Sequence, residues 1–269
     1  MLTIQAVLPD TLGFCHSRYG PMVFPAGDAY VGRSLALYHE YSEGEVDLFR
    51  QLVRLGDTVV EAGANIGALT LPLARLVGGG GQVLAFEPQR AIHGILVTNL
   101  TLNGQEQVWA ERVALGAEAG EIRVPLLPLK AVTNFGGVSL GGDLGESCPV
   151  RTLDSYRLDT LRLIKIDVEG AEVGVIAGAA ATIRRLRPAL YVENDRLEHS
   201  KTLIAAILDL GYRLWWHTVP LFRPGNFRGH ADNVFGPVGS KNMICLPAEW
   251  NIRVPGGVEI LTPDAPHPF

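Results

Sequence analysis

DTVVEAGANIGALTL, running from Asp57 to Leu71, carries an apolar strand straight into a glycine turn and out into a helix. Val59, Val60 and Ala62 form a short, nearly continuous apolar run, as in a strand covered on both faces. Gly63 closes it. Beyond the turn, Ile66, Leu69, Thr70, Leu73, Ala74 and Val77 recur at helical spacing, which predicts a helix over Asn65–Val77. A covered strand that hands over to a helix through glycine is the unit of a doubly wound parallel sheet.

Working outward, the same alternation repeats. Gln82–Glu87 reads as a second strand ending at Pro88, a helix follows to about Asn103, and Gln107–Leu115 reads as a third strand. Glu121–Leu129 has an extended pattern and Asn134–Gly145 is a glycine-rich loop. Leu161–Asp167 (LRLIKID) is a strand, Ala171–Arg187 a helix stopped by Pro188, and Ala189–Asn194 a strand. Glu198–Leu210 is a helix with Gly211 just past its end, and Tyr212–His217 a strand. After the long segment His217–Lys241, Met243–Leu246 is the last apolar strand. Ahead of residue 57, short strands near Leu2–Leu8 and Gly13–Phe24 precede a helix whose start is marked by Ser42-x-x-Glu45, a capping box. The expected organisation is N-terminal strands and a cap helix over 1–56, an α/β domain over 57–254, and a loose tail over 255–269. Its ligand site lies beyond the carboxyl ends of the strands.

Composition narrows the function. Thirty-one glycines and 17 prolines accompany 47% hydrophobic and 19% charged residues, so the glycines punctuate packed elements rather than a disordered chain. A net charge of −5 leaves no basic footprint for a nucleic-acid backbone. Arg184, Arg185 and Arg187 close a predicted helix, where cations complement the dipole. Cys15, Cys148 and Cys245 are odd in number and widely spaced, which indicates neither a disulfide framework nor a zinc site. The first residues lack a basic n-region and no apolar stretch reaches spanning length, so the expectation is a cytoplasmic protein with no membrane partner.

Three signals sit at predicted strand ends. In Glu61-Ala62-Gly63-Ala64-Asn65-Ile66-Gly67, glycine allows a tight turn and lets a ligand approach the N–H groups at the helix start. Glu87 closes the second strand 20 residues after Gly67, with Pro88 next, the spacing at which an acid holds the hydroxyls of an adenosine ribose. Glu61, Gly63, Asn65, Gly67, Glu87 and Pro88 thus describe a nucleoside pocket. A dinucleotide fingerprint wants G-x-G-x-x-G, and here the middle glycine is missing. Acid at Glu61 is poorly placed for a pyrophosphate and suits a cationic methionine-like moiety, which favours S-adenosylmethionine over NAD. The third signal is Lys165-Ile166-Asp167-Val168-Glu169-Gly170-Ala171-Glu172. Glu172 reads as a helix-start charge, whereas Asp167, at the strand's end, belongs in the site.

VVEAGANIGALTL, FEPQ, LIKIDVEGAE and RPALYVEN, in this order and spacing, resemble the FkbM-like family of S-adenosylmethionine-dependent methyltransferases. The match spans about residues 57–195, and IDVEGAE is its most specific piece. The flanks SLALYHEYSEGE and NFRGHADNVFG…NMICLP resemble one branch of that family. The resemblance implies the Rossmann-like class I methyltransferase fold, a doubly wound, mostly parallel seven-stranded sheet whose last strand is antiparallel; Met243–Leu246 is the candidate. It also implies methylation of hydroxyls on sugars, polyketides or similar small metabolites, with peptide or protein nitrogen as the alternative. Family turns often carry an aromatic or His soon after GAN-x-G. Ala68 and Leu69 stand here, so no catalytic role carries over to that position.

Methyl transfer to an alcohol needs positioning and removal of the hydroxyl proton. Asp167 and His217 are the candidate catalytic residues; His217, in Trp215-Trp216-His217, reads equally as a histidine satisfied within an aromatic cluster. Asp167, Glu193 and Asn194 place hard oxygen ligands on neighbouring strand ends and could hold Mg²⁺, although acidic strand ends also arise without a metal. Asn134–Leu140 is expected to fold over the cofactor. Its Gly137-Val138-Ser139-Leu140-Gly141 matches G-x-S-x-G but lacks the strand–turn–helix setting of a nucleophile elbow. His217–Lys241 is too long for a mere connector, and Asn226 within it, with Tyr38, Tyr41 and Glu193, is expected to face a small-molecule acceptor. A nicotinamide oxidoreductase and a non-catalytic nucleoside-binding protein stay open, as do monomer and homodimer.

Overall fold

The computed structural model describes residues 8–138, 141–254 and 256–268. Most of the strand expected near Leu2–Leu8, and Ser139 and Leu140 of the G-x-S-x-G match, lie outside them.

β1 (Leu12–Ser17) and β2 (Gly20–Pro25) form an antiparallel hairpin, followed by helices α1 (Val31–Tyr38) and α2 (Glu43–Leu52). The alternation then runs β3 (Thr58–Ala62), α3 (Thr70–Val77), β4 (Gln82–Phe86), α4 (Arg90–Leu102), β5 (Val108–Glu111). An excursion follows through β6 (Ala114–Leu115), β7 (Gly120–Val124) and β8 (Glu146–Arg151). The chain returns as β9 (Leu163–Ile166), α5 (Glu172–Gly178), α6 (Ala180–Leu186), β10 (Ala189–Glu193), α7 (Leu197–Leu208), β11 (Tyr212–Pro220), β12 (Gly239–Pro247) and β13 (Glu259–Ile260).

The main sheet has the order β13-β11-β12-β10-β9-β3-β4-β5. β5, β4, β3, β9 and β10 are mutually parallel, and β12 runs antiparallel to both β10 and β11. This is the doubly wound, mostly parallel α/β sheet that the resemblance implies, with Met243–Leu246 on its reversed strand. Among the described residues a two-residue edge strand, β13, extends the expected seven to eight through Leu214↔Ile260 and Trp215↔Glu259. Val59, Val83, Leu163 and Ala189 are wholly buried on one face with Phe49, Leu73 and Val77. Val60, Ile164 and Leu190 are equally buried on the other, against Val175, Ile183 and Ile204 of α5, α6 and α7. Each such side chain contributes about 1.5–3 kcal/mol of burial, which explains the absence of polar alternation.

Several expectations need correction. The helix foreseen over Asn65–Val77 begins only at Thr70, because Gly63, Asn65 and Gly67 have φ of 81°, 50° and 88° and cannot join a right-handed helix. Ala171–Arg187 is two helices that meet at Ala179 (φ −110°, ψ 0°). Gln107–Leu115 divides between two sheets, as β5 and as β6 in the three-stranded order β6-β8-β7. β8 was not foreseen, since Pro149 interrupts its pattern. The proline is tolerated because β6 reaches only Val150 and Arg151, leaving one side of Pro149 without a partner strand among the described residues. Ser42 does not cap α2: at φ 45° its Oγ donates to Glu45 Oε1 (2.6 Å) instead of accepting a backbone N–H. The described residues of the tail make contacts with the main sheet. Besides β13, Arg213 clasps Glu259 at 2.7 and 2.9 Å, and His267 Nε2 lies 2.7 Å from the Asn194 carbonyl oxygen.

Candidate active site

β3 leads outward through β4 to β5, and the chain then returns to the other side of β3 as β9. The switch point therefore lies between β3 and β9, where an open sheet places its ligand crevice. Gly63 follows β3 and Asp167 follows β9, and the two are so close that a Cβ on Gly63 would collide with the Asp167 carbonyl oxygen. The crevice opens into a cleft of about 300 Å³.

On the β4 side, the N–H groups of Gly63 and Ala64 donate to the Phe86 carbonyl (2.9 and 3.0 Å), which closes the turn. Asn65 N–H donates to Glu87 Oε2 (3.0 Å) and Gln89 N–H to Glu87 Oε1 (2.8 Å). Each oxygen of this buried carboxylate keeps acceptor capacity toward the cleft. Burial pushes Glu87 up to about 7 against the opposing pull of those two N–H groups. Pro88, Val113, Ala114 and Leu115 supply apolar wall beside it.

Behind the turn stands Glu61, 1% exposed. Its Oε2 accepts from Thr70 Oγ1 (2.6 Å), but its buried Oε1 has no hydrogen-bond partner among the described residues. Lys165 Nζ lies 3.9 Å from that atom and donates to the Gly63 carbonyl and to Asp167 Oδ2, both at 3.1 Å. Burial raises Glu61 to about 7, with Lys165 opposing. Burial also works against the Lys165 charge, yet Asp167, Glu61 and Glu45 outweigh it and hold the ammonium above its ordinary range.

The far end is acidic. Asp167, Glu169 and Glu193 bring carboxylate oxygens within 4.8 Å of one another. Glu169 pairs with Arg196 (2.8 Å), and burial with Asp167 beside it raises it to about 7. Burial and then Asp167, Asp195 and Glu169 push Glu193 well above its ordinary value. Tyr41 and Ser240 complete this end, while Asn134 and Gly136 of the glycine-rich loop also line the cleft. Gln89 Nε2 holds that loop through the Phe135 carbonyl (2.7 Å).

The cleft thus gathers Glu61, Gly63, Asn65, Glu87, Pro88, Asp167, Glu193 and Tyr41. Five other candidates stand apart from it. Gly67 packs its bare Cα toward Leu96 and Thr70, inside the turn. The Tyr38 hydroxyl donates to the Asp232 carbonyl and accepts from Val234 N–H, tying the 221–238 segment to α1. Asn226 is spent on the Arg223 and His230 backbones. His217 Nδ1 lies 2.9 Å from the Tyr191 hydroxyl, in the aromatic cluster of the alternative reading, and burial lowers its pKa. Asn194 is buried with Nδ2 on Met243 Sδ (3.3 Å), so Glu169 and not Asn194 joins the two acids named from the sequence. Lys165 and Glu169 were missed. A lysine among the apolar residues of LIKI was a readable signal for the first; the second depends on a left-handed residue, φ 56°, that returns its side chain to the cleft.

The sequence profile of the Methyltransferase FkbM domain matches residues 61–214, more than half of the chain. The chain belongs to the FkbM methyltransferase family. It is therefore a methyltransferase of an S-adenosylmethionine-dependent class, and the oxidoreductase and non-catalytic readings are set aside. Among solved structures, methyltransferase FkbM from Methylobacillus flagellatus KT is 16% identical, with 78% of this chain covering 52% of that one at a TM-score of 0.46. An rRNA methylase from Streptococcus thermophilus is 17% identical (76% of this chain, 95% of that one, TM-score 0.44). Aeropyrum pernix fibrillarin, in complex with natively bound S-adenosyl-L-methionine, is 14% identical (75% and 74%, TM-score 0.44). No match was found among curated proteins. In this FkbM methyltransferase no described helix is long and apolar enough to cross a membrane.

Proposed function

We propose that this protein transfers a methyl group from S-adenosylmethionine to a hydroxyl of a small polar metabolite, such as a sugar or polyketide. The observation that carries the cofactor half is Glu61 Oε1, buried beside the glycine turn, 3.9 Å from Lys165 Nζ and without a hydrogen bond among the described residues. An orphaned buried acceptor costs about 1–3 kcal/mol, and the amino group of the methionine moiety would satisfy it. Glu87, fixed by two backbone N–H groups, would accept the ribose hydroxyls, and Gly63 lines the cleft where the cofactor would approach. Asn65 and Pro88 border the same space.

The cofactor supplies an electrophilic methyl on a sulfonium. The chain's own task is to hold the acceptor in line and receive its proton. Asp167, steadied by Lys165 at the cleft edge, is the proposed proton acceptor, with Tyr41, Glu193 and Ser240 around the acceptor itself. The acidic end suits a small polar molecule and repels a phosphate backbone. Incubating the protein with labelled S-adenosylmethionine and a panel of hydroxylated metabolites, then locating the methyl by mass spectrometry, tests this directly. A methyl found on nitrogen would replace the reading by N-methylation of a peptide or protein side chain.

A further inference from the structure

Two carboxylate oxygens in the cleft are shut off from solvent without a hydrogen-bond partner among the described residues: Glu61 Oε1 and Glu193 Oε2. They stand on β3 and β10 with β9 between them, and Glu193 lies two residues further along than Glu61, so their backbones are about 12 Å apart. One ammonium cannot serve both, and the bound cofactor brings one, for Glu61. Around Glu193 the other acids are already matched: Asp167 by Lys165 at 3.1 Å and Glu169 by Arg196 at 2.8 Å. Asp195 stands exposed at the mouth and adds to the negative field.

We infer that the acceptor carries an ammonium group that seats on Glu193, so the substrate class is a small hydroxyl-bearing amine rather than a neutral or phosphorylated metabolite. This rests on the cofactor assignment above. A cation at Glu193 would satisfy a buried acceptor and offset the repulsion among three crowded carboxylates. A phosphate would face Glu193 and the exposed Asp195, and the nearby cations Lys165 and Arg196 are already paired with Asp167 and Glu169. A divalent ion would have to compete with Lys165 and Arg196 for two of its three carboxylates, whereas an ammonium needs only the oxygen that is unmatched. Tyr41 and Ser240 remain to contact the neutral part of the molecule.

The test uses the full chain saturated with S-adenosylhomocysteine and ligand-observed NMR titrations at low salt. The amine probes are glucosamine, galactosamine and serinol; their neutral counterparts are glucose, galactose and glycerol, and the anionic ones glucose 6-phosphate and glycerol 3-phosphate. A hydrogen bond to a charged group is worth about 1.5–3 kcal/mol, so the amines should bind at least about tenfold more tightly than their neutral partners. Phosphates should bind least. Glu193→Gln should abolish the amine preference, Glu193→Asp should keep part of it, and both should bind S-adenosylhomocysteine like the wild type, which also reports an intact fold. No measurable amine preference in any pair, or a preference that survives Glu193→Gln, would overturn the inference. So would MnCl₂ binding that depends on Glu193 and strengthens the neutral probes. Wild-type protein unable to bind S-adenosylhomocysteine would strike the cofactor assignment itself, and this inference with it.

Discussion

Lys165 Nζ stands 3.1 Å from Asp167 Oδ2, two residues along the same chain, and both point into the seam between β9 and β3. Strand neighbours at i and i+2 share a face, so the pair places a buried cation and its counter-ion side by side at the switch point. The same ammonium holds the Gly63 carbonyl and lies near Glu61. One side chain therefore connects the turn that would take the cofactor with the acid that would take the proton.

Lys165→Met removes that connection and leaves buried carboxylates without compensation. Breaking a buried ion pair from one side costs about 3–5 kcal/mol. Urea denaturation should show a loss of that order, and calorimetry a cofactor affinity weakened more than tenfold. Wild-type affinity in a folded variant would show that Lys165 has no part in the site.

Glu87→Ala deletes the carboxylate that would hold the ribose. With hydrogen bonds to charged groups worth about 1.5–3 kcal/mol each, S-adenosylhomocysteine affinity should fall about a hundredfold, and the melting temperature should drop as well because the Asn65 and Gln89 N–H groups lose their acceptor. Calorimetry showing unchanged binding would remove Glu87 from the cofactor pocket.

Glu61, Glu87 and Glu169 are each raised from 4.5 to about 7 in the folded, ligand-free protein, chiefly by burial. Their folded values exceed the unfolded ones, so the folded chain holds extra protons between those limits. Stability should then fall as pH rises from about 4.5 to about 7, flattening above. Ligand binding should run the other way, since the anions are what an amino group and hydroxyls would seek. Thermal melts across this window, with and without S-adenosylhomocysteine, should diverge as pH rises.

His217→Phe should leave turnover within a few-fold of the wild type, because His217 sits against Tyr191 and does not line the cleft. The lost hydrogen bond should cost about 1 kcal/mol of stability. A thousandfold drop in turnover of a well-folded variant would return His217 to the chemistry.

Turnover should survive dialysis against EDTA. Lys165 and Arg196 already occupy two of the three clustered acids, and Asn194 is turned away onto Met243. Activity lost on chelation and regained with Mg²⁺ would contradict this.

The parallel sheet was legible in the sequence because its signals are local: apolar runs at β3, β4, β9 and β10, each followed by a glycine, proline or acid at the strand end. The Gly63–Glu87 pair was legible for the same reason, since both residues sit where a strand stops. Side chains fixed by distant partners were not. Tyr38 turns toward Asp232 and Val234, and His217 toward Tyr191; no spacing within α1 or β11 encodes those directions. Glu169 enters the site through a positive φ that a non-glycine residue gives no warning of. β13 is only two residues long and exists because Leu214 and Trp215 offer it an edge, a fact about β11 rather than about the tail.

That short edge strand and the chain beyond it have a practical consequence. His267 reaches the carbonyl of Asn194, the residue next to Glu193, while Trp216 packs against the His267 ring. The wall proposed to meet the acceptor is thus braced by the C-terminal segment, far along the chain from the turn at Gly63. An engineer could loosen that brace, by substitution at His267, to reshape which acceptors would enter, without altering a residue that would touch the methyl donor. Selectivity and donor use would then be tuned from opposite ends of one polypeptide.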